Sequence, residues 1–189
     1  MMPNRLRQMF QLTARPSGQI AAADAFVLLG FGLNQTKDGR DAPGASNLAL
    51  ARWLVVNNQS RLLTITQMGP YLALKALEKE RPDLAVDTWT LNLPHDPRVH
   101  VDTAGAALQI WLLCENAGLE HVVLVTHPHQ SERARRIFNK LPLTEIIMPD
   151  LPHIPYDPVS VQRWTRSRFH YLFFEFVMAR PIGYLFGWL

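Results

Sequence analysis

The chain has 189 residues, 48% of them hydrophobic and 19% charged, a balance that fits one folded domain and excludes a disordered chain. Its formal net charge of +3 is spread thinly apart from Arg133, Arg135 and Arg136 and the run Arg163, Arg166 and Arg168, so no nucleic-acid partner is expected. Cys114 is the only cysteine, which excludes an intrachain disulfide and fits a reducing, cytoplasmic location.

Residues 1–21 read as an N-terminal extension. They carry Arg5 and Arg7 but no uninterrupted apolar core before a cleavage-like site, so neither a signal peptide nor an anchor is expected. Residues 22–189 read as a single domain in which short β-rich runs alternate with segments of helical periodicity. That alternation predicts an α/β fold with a mainly parallel sheet and helices on its faces. The predicted strands are AFVLLG (25–30), RLLTIT (61–66), AVDTWT (85–90), HVVLVT (121–126) and TEIIM (144–148). The predicted helices are SNLALARWLVV (46–56), PYLALKALEKE (70–80), TAGAALQIWLLCENAG (103–118) and SERARRIFNKL (131–141). Asp102 or Thr103 can cap the third helix and Gly118 can close it. PDLPHIPYDP (149–158), with four prolines, is a connecting loop. The aromatic-rich remainder predicts a C-terminal helix on the sheet, interrupted by Glu175, Arg180 and the helix-breaking Pro181. Its last residues, YLFGWL, either fold back or form an apolar patch for a membrane surface or a protein partner.

An open parallel sheet places its ligand beyond the carboxyl ends of its strands. The loops so selected are 30–40, 67–70, 100–105 and 127–133. Within them Gly30 and Gly32 let the backbone approach a ligand, Arg40 is a candidate anion clamp, and Asp102 and Thr103 are capping residues with a candidate binding part. Thr126, His127, His129 and Arg133 follow the fourth predicted strand, with Arg133 able to hold an anion bidentately. His127 and His129 are candidates for phosphate contact or for acid and base work. His100, His121 or Asp102 would have to complete a metal shell around the His-x-His pair, but no paired cysteines or acidic cluster accompany them, so no metal site is expected.

DAFVLLGFG (24–32), Arg40, DTAGAALQIWLLCENAG (102–118) and LVTHPHQSERARRIF (124–138) together resemble the YdcF-like family, which includes the SanA and ElyC envelope proteins. The resemblance covers roughly residues 22–180. It implies a Rossmann-like three-layer α/β/α domain with its site at the carboxyl end of the sheet, and S-adenosylmethionine as a candidate ligand. Gly30, Gly32, Thr103, Thr126, Arg133 and Ala134 match the family's patterns. His100 stands where the family has serine, Gly105 and Ala106 where it has Glu-Asn, and His127 where a serine follows Thr126. Gln130 stands in place of the family's histidine, and TQMG (66–69) in place of its Ser-Gly-Gly.

Three functions are compatible with these residues. The first is binding of a small anionic or nucleotide-like ligand at the carboxyl end of the sheet. The second is an enzyme in which His127 or His129 is acid or base while Arg133 holds an anion. The third is a degenerate family member acting as a partner-binding module.

Overall fold

The computed structural model describes residues 10–91, 103–143 and 145–187. Five parallel strands form the central sheet: β1 (Ala25–Leu28), β4 (Leu63–Thr66), β5 (Thr88–Thr90), β6 (His121–Val125) and β7 (Glu145–Ile147). Their order is β5-β4-β1-β6-β7. Ala25 registers with Leu63 on one side and with Val122 on the other. A two-residue antiparallel hairpin, β2 (Asn34–Gln35) and β3 (Asp41–Ala42), forms within the segment read as a loop from sequence.

The three layers follow from the alternation of side chains along β1. Phe26 and Leu28 face α1 (Ala45–Asn57) and α2 (Met68–Glu80), packing with Leu50, Leu54 and Leu74. Ala25 and Val27 face α3 (Thr103–Ala117) and α4 (Pro128–Phe138), packing with Ala107, Ile110 and Phe138. Both faces are covered, so all four residues of β1 are fully buried, and each large apolar side chain contributes about 2 kcal/mol of transfer free energy. The architecture is a Rossmann-like α/β/α sandwich.

Three boundaries differ from expectation for identifiable reasons. The fourth helix starts at Pro128 and ends at Phe138, where the sequence suggested 131–141. Proline is tolerated in the first turn because its missing N–H has no intrahelical partner there, and His127 serves as N-cap. The second helix likewise takes Gly69 and Pro70 into its first turn. Pro181 does not end the C-terminal helix: α5 (Arg168–Phe174) runs through a π turn (Glu175–Ala179) into α6 (Arg180–Leu185), the wide turn giving room to the proline ring.

The segment before the sheet is tied to it. Ser17 bridges Met148 in antiparallel fashion, the Ala14 N–H donates to Ser131 Oγ at 2.8 Å, and the Glu132 N–H donates to the Leu12 carbonyl at 3.0 Å. Among the described residues no helix is long and apolar enough to cross a membrane.

Candidate functional site

The strand order reverses between β1 and β6, and the crevice above their carboxyl ends is where such a sheet takes a ligand. In this chain the protein's own rings fill it. Phe31, just after β1, stacks on His127, just after β6, with centroids 3.9 Å apart and planes 16° from parallel. Tyr156, from the proline-rich loop, lies 4.7 Å from the His127 ring, and Tyr171, from α5, lies 5.2 Å from Phe31. Such ring pairs add about 1 kcal/mol each beyond the area they bury.

The loop after β1 is held by side chains from three directions. The Gly30 N–H donates to Gln67 Oε1 at 2.7 Å and the Phe31 N–H to Asn47 Oδ1 at 2.9 Å. Asn47 Nδ2 in turn donates to the Gly32 carbonyl at 2.7 Å. Gly32 has φ +80°, and a Cβ there would stand 2.8 Å from Thr165 Oγ1. The close approach that these glycines permit is therefore an approach to the protein itself.

The N-terminus of α4 is similarly occupied. The His129 N–H donates to His127 Nδ1 at 3.2 Å, the Gln130 N–H to the His127 carbonyl at 2.8 Å, and Pro128 has no N–H. With Glu132 bonded to Leu12, most of the donors that would greet an anion at this helix end are spoken for.

Arg133 and Thr103 meet in the structure: Arg133 Nη1 donates to Thr103 Oγ1 at 2.8 Å, and Gln130 Nε2 donates to the same oxygen at 3.3 Å. The anion that Arg133 holds is Glu175, whose Oε2 accepts from Arg133 Nε at 2.9 Å and from the Tyr171 hydroxyl at 3.0 Å. Its Oε1 accepts from Arg180 Nε at 3.0 Å, and the carboxylate has no solvent exposure. Burial alone lowers the Arg133 pKa, but Tyr171 and Glu175 outweigh it and the net direction is upward. A buried carboxylate gripped by two guanidiniums is costly to desolvate and very costly to break.

His127 is 1% exposed, and burial, with the neighbouring charge of His129 second, pushes its pKa down to about 3. The backbone of Ile154 pulls weakly the other way. Its Nδ1 accepts the His129 N–H, which leaves the proton on Nε2, and the Ile154 backbone faces the ring without completing a hydrogen bond to that atom. Thr126 Oγ1 is buried without a hydrogen-bond partner among the described residues. His127 is thus a neutral ring built into the wall.

His129 is different because it is only partly buried. Its Nδ1 lies 2.6 Å from the Tyr156 hydroxyl. Burial pushes the Tyr156 phenol up to about 12, so it keeps its proton, and the short separation fits a hydroxyl donating to the ring nitrogen. With the hydroxyl as donor, the ring carries its hydrogen on Nε2. The His129 pKa is lowered by burial first, then by Arg168 and His153. The charge of Arg168 acts on both rings and pulls the pKa of each downward, against the imidazolium and against the neutral phenol.

The remaining candidates lie elsewhere. Arg40 is exposed on the β2–β3 hairpin, paired with Asp38 at 2.5 Å, and does not fold back over the crevice. His121 is at the amino end of the sheet, 3.3 Å from Asp24. His100 and Asp102 fall outside the described residues. Among the described residues no group of three His, Cys, Asp or Glu side chains is arranged to hold a metal.

Among the described residues, the donors at the carboxyl end of the sheet do not fit S-adenosylmethionine, which the resemblance implies. The two glycines close on Gln67, Pro70, Ser160 and Thr165, and the end of β4, where a ribose-binding carboxylate belongs, carries Thr66 and Gln67.

Glu175, Tyr171, Tyr156 and Phe31 were not selected from sequence. The one available signal was Glu175, a lone acid inside an aromatic helix, where a carboxylate survives only with a partner. Comparison with known families, curated proteins and solved structures returns no match.

Proposed function

We propose that this protein binds a small anionic ligand at the rim of the crevice above β1 and β6. The groups that meet the ligand are His129, through its Nε2–H, and the Arg168 guanidinium. Tyr156 orients the imidazole, and Arg133 is a positioning residue whose charge is spent on Glu175. The observation that carries this reading is the 2.6 Å contact between His129 and Tyr156, which turns a half-buried neutral histidine into a fixed donor. The same contact ranks binding above catalysis. With Nδ1 engaged by Tyr156 and hydrogen on Nε2, the ring meets the ligand as a donor, and His127 is shut away by burial. The contact between Arg133 and Thr103, with Thr126 directly before His127, supports treating the chain as a divergent relative of the YdcF-like family, with a cytoplasmic setting as part of the proposal.

A thermal-shift screen of the full chain tests the reading, with inorganic phosphate, pyrophosphate, nucleotides, phosphosugars and S-adenosylmethionine as probes. A phosphate-bearing probe is expected to raise the melting temperature, since a hundredfold excess over Kd adds about 3 kcal/mol of stability. His129→Ala and Tyr156→Phe should weaken that shift. A flat screen would overturn the proposal in favour of a partner-binding module, the reading that the filled crevice favours.

A further inference from the structure

The inward side of the C-terminal helix carries Tyr171, Glu175, Arg180 and Gly183, all buried. Its outward side carries Phe169, Phe173, Val177 and Leu185, exposed by 75%, 61%, 53% and 81%. Met178, Ile182 and Phe186 widen the strip, and Phe10, 5.5 Å from Phe176, extends it sideways. From 169 to 187 no exposed residue bears a fixed charge. Exposed aromatic and aliphatic side chains in such a continuous array are too many for the scattered apolar surface of an ordinary domain.

Among the described residues, the exposed charges that flank the strip along the chain are basic. Arg163 and Arg168 stand exposed at its start, and Lys140, whose Nζ meets the Gly187 carbonyl at 2.5 Å, stands at its end. Glu175 is the only acidic residue from 158 to 187, and it is fully buried. A helical face of about 27 Å, apolar along its length and cationic at both ends, has the form of a segment that lies in the plane of a lipid interface. No described helix is long and apolar enough to cross a bilayer, so the contact is peripheral.

We propose that this face docks the protein onto an anionic lipid surface, with Phe169, Phe173, Val177 and Leu185 entering the acyl boundary. Arg163, Arg168 and Lys140 then sit at the level of the headgroups. Apolar burial supplies the attachment, and the basic residues select acidic lipid.

The test is co-sedimentation of the full chain with vesicles of phosphatidylcholine alone or mixed with phosphatidylglycerol, at low and high salt. Binding to the mixed vesicles is expected to be at least about tenfold tighter and to weaken with salt. The double variant Phe173→Glu and Leu185→Glu should lose binding while keeping the wild-type melting temperature, because both positions are exposed. Arg163→Gln should weaken binding to mixed vesicles and leave the melting temperature unchanged. Equal binding to both vesicle types, no binding to either, or unaltered binding by the folded double variant would overturn the proposal. So would a lipid-free dimer that the double variant dissociates, since the strip would then be covered by a second copy.

Discussion

Arg133 Nε lies 2.9 Å from Glu175 Oε2, so the arginine that follows the fourth parallel strand is neutralised by a carboxylate 42 residues further along the chain. With Arg180 on the other carboxylate oxygen, the pair locks the C-terminal helix to the carboxyl end of the sheet. Glu175→Gln leaves two buried guanidiniums short of a counter-charge and is expected to destabilise the fold by about 3–5 kcal/mol. Arg133→Met in the Glu175→Gln background should cost clearly less than it does alone, with a coupling of about 1–3 kcal/mol in urea denaturation. Strict additivity would show that the contact does not carry the lock.

Buried His127 predicts a specific acid sensitivity. Its folded pKa is near 3, below the ordinary value of 6.5, so between these values the unfolded chain takes up a proton that the folded chain refuses. Stability from this group is therefore complete above about pH 6.5 and declines as pH falls toward about 3, by about 1.4 kcal/mol per unit. Urea denaturation at about pH 7 and pH 4 should show a drop in the wild type that exceeds the drop in His127→Phe by about 3 kcal/mol. Equal drops would place a proton-accepting partner at Nε2.

The parallel sheet was legible in sequence because several of its strands are apolar on both faces, and all five predicted strands appear, shortened at their ends. The filling of the crevice was not legible. Phe31 and Tyr156 look like ordinary loop aromatics, and only the fold brings residues 125 positions apart to a centroid separation of 5.6 Å. Arg133 was recognisable as an anion holder, but its anion comes from within the chain. Arg133 and Thr103 meet because α3 and α4 both enter from the carboxyl end of the sheet.

The glycine loop can be tested by comparing two glycines of similar φ. Gly32 (+80°) would push a Cβ to 2.8 Å from Thr165 Oγ1, whereas Gly39 (+76°) has nothing within 4 Å. Both alanine variants incur the left-handed backbone penalty of about 1 kcal/mol, and Gly32→Ala should cost about 1–2 kcal/mol more. Equal melting temperatures for the two variants would mean that the loop is not closed on Thr165 and Ser160.

Ligand affinity should depend on pH through His129. Its pKa is lowered in the free protein, and a bound anion stabilises the imidazolium, so binding takes up a proton. Affinity for pyrophosphate measured by calorimetry is expected to rise as pH falls, by at most about tenfold per unit. His129→Gln should flatten the profile. A profile that rises with pH would contradict this sign.

Histidine-selective nitrogen NMR during a pyrophosphate titration addresses the rim site most directly. His129 is expected to show a moving Nε2 resonance and a raised pKa at saturation, while His127, buried and neutral, keeps its resonances unchanged. A titration in which His127 moves and His129 does not, or in which neither responds, would contradict a ligand site at the His129–Tyr156 rim.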